Sequence, residues 1–215
     1  MTLLTSLACG ADQIIAYWLE EPSHLDKDIP KFPPMELVFV EPFKTTAAGV
    51  TYQQKVESDE IKYSRLPEAS YEKLIGVCSP PITMKHEPIP LKDEGKEIEK
   101  AYRKAGRYIA DHCDLLLVLW DGVENGKVGG TSDTMEYAKS EECRDNSKVG
   151  GPEIHHIVIP QEGNPFPVGV PFEIKKFERK PSRSRWNKLK HGCGRLIRWI
   201  VNQLKDKPTW LGPSS

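Results

Sequence analysis

The sequence predicts an α/β protein: a Rossmann-like three-layer sandwich with a mainly parallel sheet, followed by a C-terminal basic amphipathic helix. Three observations predict it. Leu115 to Trp120 is an uninterrupted apolar run, too short for a comfortable helix and without polar alternation, as a parallel strand buried on both faces would be. Asp121-Gly122 closes that run, and Gly129-Gly130-Thr131 then turns the backbone into a helix whose start carries Asp133 and Glu136. Strand-like runs also alternate with helical periodicity up to about residue 160, the pattern of parallel strands joined by right-handed crossovers.

Taken in order, Met1 to Ala8 is a short, mostly apolar strand candidate that runs into a helix start at Gly10. Ile14, Ile15, Trp18 and Leu19 then fall at helical spacing, and Pro22 stops the helix. Prolines at 22, 30, 33 and 34 mark an irregular connection to a second strand, Met35 to Val40. From about 44 to 91 the pattern weakens under five more prolines, with only a modest helical signal between Tyr71 and Val77, and a loop-rich insertion is expected. Glu94 to His112 is the clearest helix, because Ile98, Ala101, Tyr102, Ala105, Tyr108 and Ile109 repeat on one face. After the helix from Thr131 to Ser140, a polar loop is expected over 141–152, and Ile154 to Pro160 reads as another buried strand. Residues 161–184 read as a Pro-rich linker or peripheral wrap. Beyond them Trp186, Leu189, Cys193, Leu196, Ile197, Ile200 and Leu204 line one side of a helix whose other side is basic. The expected organisation is thus one domain over 1–160 and an appendage over 161–215.

Composition narrows the function classes. With 38% hydrophobic and 28% charged residues and a net charge of −1, the chain has no global pull toward nucleic acid or anionic lipid. Charge is uneven, since the stretch after Lys175 is rich in Lys and Arg. The five cysteines are odd in number and show no CxxC spacing, as reduced cytosolic thiols would. No apolar run approaches the roughly 20 residues needed to span a bilayer, and no leader is evident, so a cytoplasmic protein is expected.

The candidate site residues follow from where open α/β sheets bind ligands, outside the carboxyl ends of their strands. Gly129, Gly130 and Thr131 would present bare N–H groups and a hydroxyl to a phosphate at a helix N-terminus. Asp133 would accept a ribose hydroxyl, or else only complement the helix dipole. Trp120 could stack on a base and Asp121 bond a sugar; the alternative makes them a core residue and a turn former. Gly10 and Asp12 would contribute at the first strand end, with helix capping the plainer role for Asp12. Metal binding by His155 and His156 is not expected, because adjacent strand residues point to opposite faces. No cofactor is expected.

These residues together resemble the SLOG superfamily, Rossmann-like domains that include the DNA-processing protein A fold and the "lonely guy" phosphoribohydrolases. The likeness is carried by Ser6-Leu-Ala-Cys-Gly-Ala-Asp12, Pro42-Phe43, Ala101-Tyr102 with Gly106, Cys113-Asp114, Leu119-Trp-Asp-Gly122, Gly129-Gly-Thr-Ser-Asp133 and Tyr137-Ala138. It covers roughly residues 3 to 160. Members usually begin with another strand, often carrying a Gly-His-Arg-like turn, ahead of the Gly-Ala-Asp segment, so the resemblance implies an incomplete gene product or a sheet without that first strand. The phosphoribohydrolases resemble one another through Pro-Gly-Gly-x-Gly-Thr-x-x-Glu; here the Pro and one Gly are missing and Glu136 is displaced.

Three functions are consistent with this pattern. The first is a sensor or binding module for a nucleotide or nucleotide-derived ligand, ADP-ribose-related compounds included. The second is a nucleotide N-glycosidase or phosphoribohydrolase releasing a free base, with Glu136 or Asp133 as the catalytic carboxylate. The third is a degenerate scaffold whose basic segment, 185–207, binds an anionic membrane surface or nucleic acid. A second copy of the chain is a further expected partner.

Overall fold

A computed structural model describes residues 2–6, 11–20, 36–46, 48–63, 71–83, 94–124, 126–147, 150–158 and 174–177. Its helices and parallel strands make an α/β protein. The chain divides into two compact units, one comprising 1–109 with 127–130 and the other 110–126 with 131–215. The expected division at 160 falls inside the second unit.

The first unit opens with β1 (Thr2–Thr5), α1 (Ala11–Glu20) and β2 (Glu36–Glu41). It continues through α2 (Tyr52–Tyr63), α3 (Tyr71–Ile75), β3 (Ser79–Thr83) and α4 (Glu94–His112), whose last turn crosses into the second unit. Its three strands run parallel in the order β1-β2-β3, with Leu3 opposite Leu37 and Val40 opposite Ile82. The region expected to be a loop-rich insertion therefore holds two helices and a strand. The strand escapes sequence reading because it contains Pro80-Pro81, which cannot donate to a ladder. The sheet accommodates them on an outer strand of the described residues, with the register shifting between Val38 and Val40. Helix α2 is started by a capping box: Gln54 N–H donates to Thr51 Oγ1 at 3.1 Å, and Thr51 N–H donates to Gln54 Oε1 at 2.9 Å.

Five aromatic rings dominate this unit's core. Phe39, Phe43, Tyr52 and Tyr71 are buried with Leu37, Val56, Leu74, Ala16 and Ala101, and Tyr102 packs against them. The Phe39–Tyr71 and Phe43–Tyr52 pairs meet edge to face at 5.7 and 5.4 Å between centroids, a favoured arrangement of ring quadrupoles.

The second unit contains β4 (Leu115–Trp120), α5 (Thr131–Lys139), α6 (Glu141–Asn146), β5 (Glu153–Val158) and β6 (Ile174–Phe177). Strand β5 lies between a parallel β4 and an antiparallel β6. Its residues 154–157 are all buried, as the unalternating sequence predicts. Two expectations need correction here. The polar loop expected over 141–152 begins with α6, because the Ser140 side chain accepts the Cys143 N–H at 3.2 Å and caps it. Residues 174–177, read as linker, pair with β5; Lys175 and Lys176 disguised a short outer strand. The expected basic C-terminal helix lies outside the described residues.

Candidate functional site

Two strand ends carry the residues singled out by the sequence, and they belong to different units. Asp12, Gly129 and Gly130 fall in the first; Trp120, Asp121, Thr131, Asp133 and Glu136 fall in the second. Gly10 lies outside the described residues.

At the carboxyl end of β1, hydrogen bonds join Ser6 through its side chain to Asp12 and through its backbone carbonyl to Tyr52, 46 residues away. Ser6, directly after the strand, donates its hydroxyl to Asp12 Oδ2 at 2.8 Å. Tyr52 donates its phenol to the Ser6 carbonyl oxygen at 2.8 Å. Asp12 sits in the first turn of α1 and is only partly buried, whereas Tyr52 is 0% exposed. Burial pushes the Tyr52 phenol well above the usual tyrosine range, and Tyr102, Asp12 and Tyr71 push it further the same way; the Ser6 bond opposes them. The result is a carboxylate reachable from water whose supporting hydroxyl and phenol run back into an aromatic interior. Sequence reasoning found Asp12 and missed Ser6 and Tyr52 as site residues. Thr51-x-x-Gln54 could have placed Tyr52 in a helical first turn, but no local signal shows that its hydroxyl reaches back to Ser6.

Gly129 has a packing role. Its φ is +75°, and a Cβ there would lie 2.4 Å from Glu99 O, 2.7 Å from Arg103 N and 2.8 Å from Tyr102 Cβ, so the backbone presses directly on α4. Gly130 is under no such constraint: an added Cβ would meet Lys127 O at 3.4 Å, an ordinary contact.

In the second unit, the groups at the carboxyl end of β4 are engaged locally. The Trp120 ring stacks on His156 at 5.4 Å between centroids, and the Trp120 carbonyl lies 2.9 Å from His156 Nε2. Because a carbonyl only accepts, that nitrogen carries the proton. Asp121 Oδ1 accepts the Val123 N–H at 2.9 Å across Gly122, whose φ is +84°, making an Asx turn. Thr131 is exposed at the start of α5, with Asp133 partly buried in the first turn. Glu136 is 59% exposed and pairs with Lys139 Nζ at 2.8 Å, the geometry of a solvated surface ion pair worth about 0–1 kcal/mol.

Buried polar groups in this unit connect elements. Tyr137 donates to Asp111 Oδ1 at 2.8 Å and accepts from Asn146 Nδ2 at 3.1 Å. Desolvation pushes its phenol up to about 12, with Asn146 opposing and Asp111 adding to the shift. His155 Nε2 meets Glu153 Oε1, so the two adjacent histidines have separate partners. Among the described residues no group of three His, Cys, Asp or Glu side chains could hold a metal ion. Nor is any helix among them long and apolar enough to cross a membrane.

Comparison of the chain with protein-family models, with curated proteins and with solved structures finds no match. The class defined by the fold is therefore α/β with parallel strands, and any narrower assignment rests on the site itself.

Proposed function

We propose that the chain is a binding module of the Rossmann-like class, related to the SLOG superfamily. In this reading it holds a nucleotide or nucleotide-derived ligand, ADP-ribose-related compounds included, at the carboxyl end of β1. One observation carries the proposal: the partly exposed Asp12 carboxylate is bonded to Ser6, which is bonded in turn to the buried Tyr52. Two further features support it. The strands run β1-β2-β3, all parallel and with helices between them, which is the progression of one mononucleotide-binding half. A carboxylate at a strand's carboxyl end suits the hydroxyls of a sugar, and the neighbouring α1 N-terminus suits an anion. Binding without chemistry is favoured over base release, because the Glu136 carboxylate is tied to Lys139 on an exposed helix face. A cytoplasmic setting is supported by Cys78, Cys113 and Cys143, which are free thiols.

The test is a thermal-shift screen against nucleoside monophosphates, NAD, ADP-ribose and its cyclic forms, with released base assayed in the same wells. A ligand at 100 times its dissociation constant adds about 2.7 kcal/mol, which for a chain of this size raises the melting temperature by roughly 5–10 °C. A shift without free base is the expected outcome. Free base would turn the reading toward a glycosidase, and a cooperative melt unmoved by every compound would overturn it.

A further inference from the structure

We propose that the segment from Trp186 to Leu204 folds back onto the second sheet and lays its apolar stripe across the face of β4 and β5 that lies away from α5. The inference concerns the second unit alone and is independent of the ligand reading.

Register divides the strand residues between two faces. Leu115, Leu117 and Leu119 stand opposite Glu153, His155 and Ile157; alternation puts these six on one face and Leu116, Val118, Trp120, Ile154 and His156 on the other. Helix α5 lies on the second of these faces, because Phe177 pairs with Ile154 and the Lys139 amine at the end of α5 sits 4.6 Å from the centre of the Phe177 ring. The last turn of α4 and helix α6 are held beside α5, since Tyr137 bonds both Asp111 and Asn146. The described helices of this unit are thus gathered around α5. Yet β5 is buried on both faces: away from α5, Ile157 is 0% and His155 4% exposed, and Leu115, Leu117 and Leu119 are half-buried. A strand buried on both faces has a cover on each.

The chain itself supplies the second cover. Strand β6 ends at Phe177, beside β5, and residues 178–215 follow it in the same compact unit. The eight residues from 178 to 185 reach up to roughly 26 Å, enough to return across strands about 4.8 Å apart. A helix over 186–204 is about 28 Å long and spans a six-residue strand such as β4, about 20 Å. Its stripe, with Leu189, Leu196, Ile197 and Ile200, matches a face of leucines and isoleucine and leaves Arg185, Lys188, Arg195 and Arg198 toward water. Gly192 and Gly194 each weaken such a helix by about 1 kcal/mol relative to alanine, so its stability has to come from a surface it packs on. Residues 159–173, between β5 and β6, are broken by prolines at 160, 165, 167 and 171 and carry no comparable stripe. With its apolar side on the sheet, the segment cannot insert that side into a membrane without uncovering the β4 leucines.

Cys193 lies within the stripe and reports on it. The experiment measures its alkylation by iodoacetamide, read by peptide mass spectrometry, in the full chain, in the same chain unfolded in urea and in Leu196→Glu, and follows amide hydrogen exchange of β4 and β5 in the two folded proteins. Wild-type Cys193 is expected to react at least about 10-fold more slowly than in urea, as a docked segment that opens only locally does. Leu196→Glu, which sets a charge against the leucines, should still melt cooperatively, regain most of that reactivity and speed exchange at Leu117, Leu119 and Ile157 by about 10-fold. Wild-type Cys193 reacting at the urea rate overturns the proposal. So does protection that rises with protein concentration, which puts the stripe against a second copy, or protection that appears only with phosphatidylserine vesicles, which puts it on a membrane surface. Protection lost in Leu196→Glu with exchange in β4 and β5 unchanged overturns it as well, because the stripe then covers something other than this sheet. Should Leu196→Glu not fold, Leu189→Glu, near the end of the stripe, is read in the same way.

Discussion

The carboxyl ends of β1 and β4 look alike in sequence, each an apolar run followed shortly by Gly and Asp, yet they use their polar groups differently. At β4, Asp121 closes an Asx turn and Trp120 covers His156. Beyond them Glu136 is paired along its own helix. Each of these bonds joins residues close in the chain or neighbouring in the sheet, and each maintains local structure. At β1, the hydroxyl of Ser6 donates to a carboxylate in α1, and a phenol from α2 donates to the backbone carbonyl of that same Ser6. An Asp or Gly at a strand end is thus weak information about binding. What separates the two ends is whether buried groups from elsewhere in the fold hold the carboxylate from behind.

The largest expected effect concerns Gly129, since a ligand-cradling glycine and a packing glycine fail in different ways. In Gly129→Ala the new Cβ would fall 2.4 Å from a carbonyl oxygen of α4, on a backbone with φ +75°. Overpacking of this kind typically costs about 1–3 kcal/mol, and the left-handed conformation about 1–2 kcal/mol more for a residue with a Cβ. Chemical denaturation should therefore show a loss of roughly 2–5 kcal/mol by those two effects together. Wild-type stability in this variant would return Gly129 to the list of binding residues and erase half of the contrast.

An alkaline titration compares the buried phenols directly. Tyr137 is pushed from 10.0 up to about 12, chiefly by desolvation, and Tyr52 is held well above the usual tyrosine range, chiefly by its burial. A phenol raised in the fold binds its proton more tightly there than in the unfolded chain. Its stabilising contribution is complete below the unfolded value and is lost as pH rises through the folded one. Tyrosinate absorbance followed against pH should thus show Tyr137 ionising near pH 12, and Tyr52 only together with loss of the near-ultraviolet aromatic signal. Subtracting the Tyr52→Phe curve assigns the last step. If Tyr52 ionises while that aromatic signal persists, water reaches it and the support behind Asp12 is not dry.

The same contrast explains what could be read from the sequence. Helix α4 was legible because its apolar residues recur at a fixed period, and strands β4 and β5 because their short runs do not alternate as a half-exposed strand would. Strand β3 was hidden by Pro80-Pro81 and β6 by two lysines, residues that an outer strand tolerates and a central one does not. Helix α6 rests on a serine cap and an Arg144–Glu141 ion pair rather than on an apolar stripe. Within the site, Asp12 was legible beside Gly10 and Ala11. Tyr52 lay in the stretch expected to be a loop-rich insertion; its role depends on a contact across 46 positions, which no local pattern encodes.

Gly130 carries the smallest expected effect and tests the comparison from the other side. It has room for a methyl group, with Lys127 O at 3.4 Å and Lys127 Cβ at 3.8 Å from an added Cβ. Gly130→Ala should therefore shift stability by no more than about 0.5 kcal/mol, the range of an unstrained substitution. A phosphate resting on the N–H groups of 129–131 would meet that methyl group, whereas a ligand held by Asp12 would not depend on it. AMP affinity within about twofold of wild type, under 0.5 kcal/mol, is expected from calorimetry on this variant. A loss of about tenfold or more, 1.4 kcal/mol, in a protein that melts like wild type would make the glycine turn a phosphate loop. Local engagement at a strand end would then no longer mark it as inert.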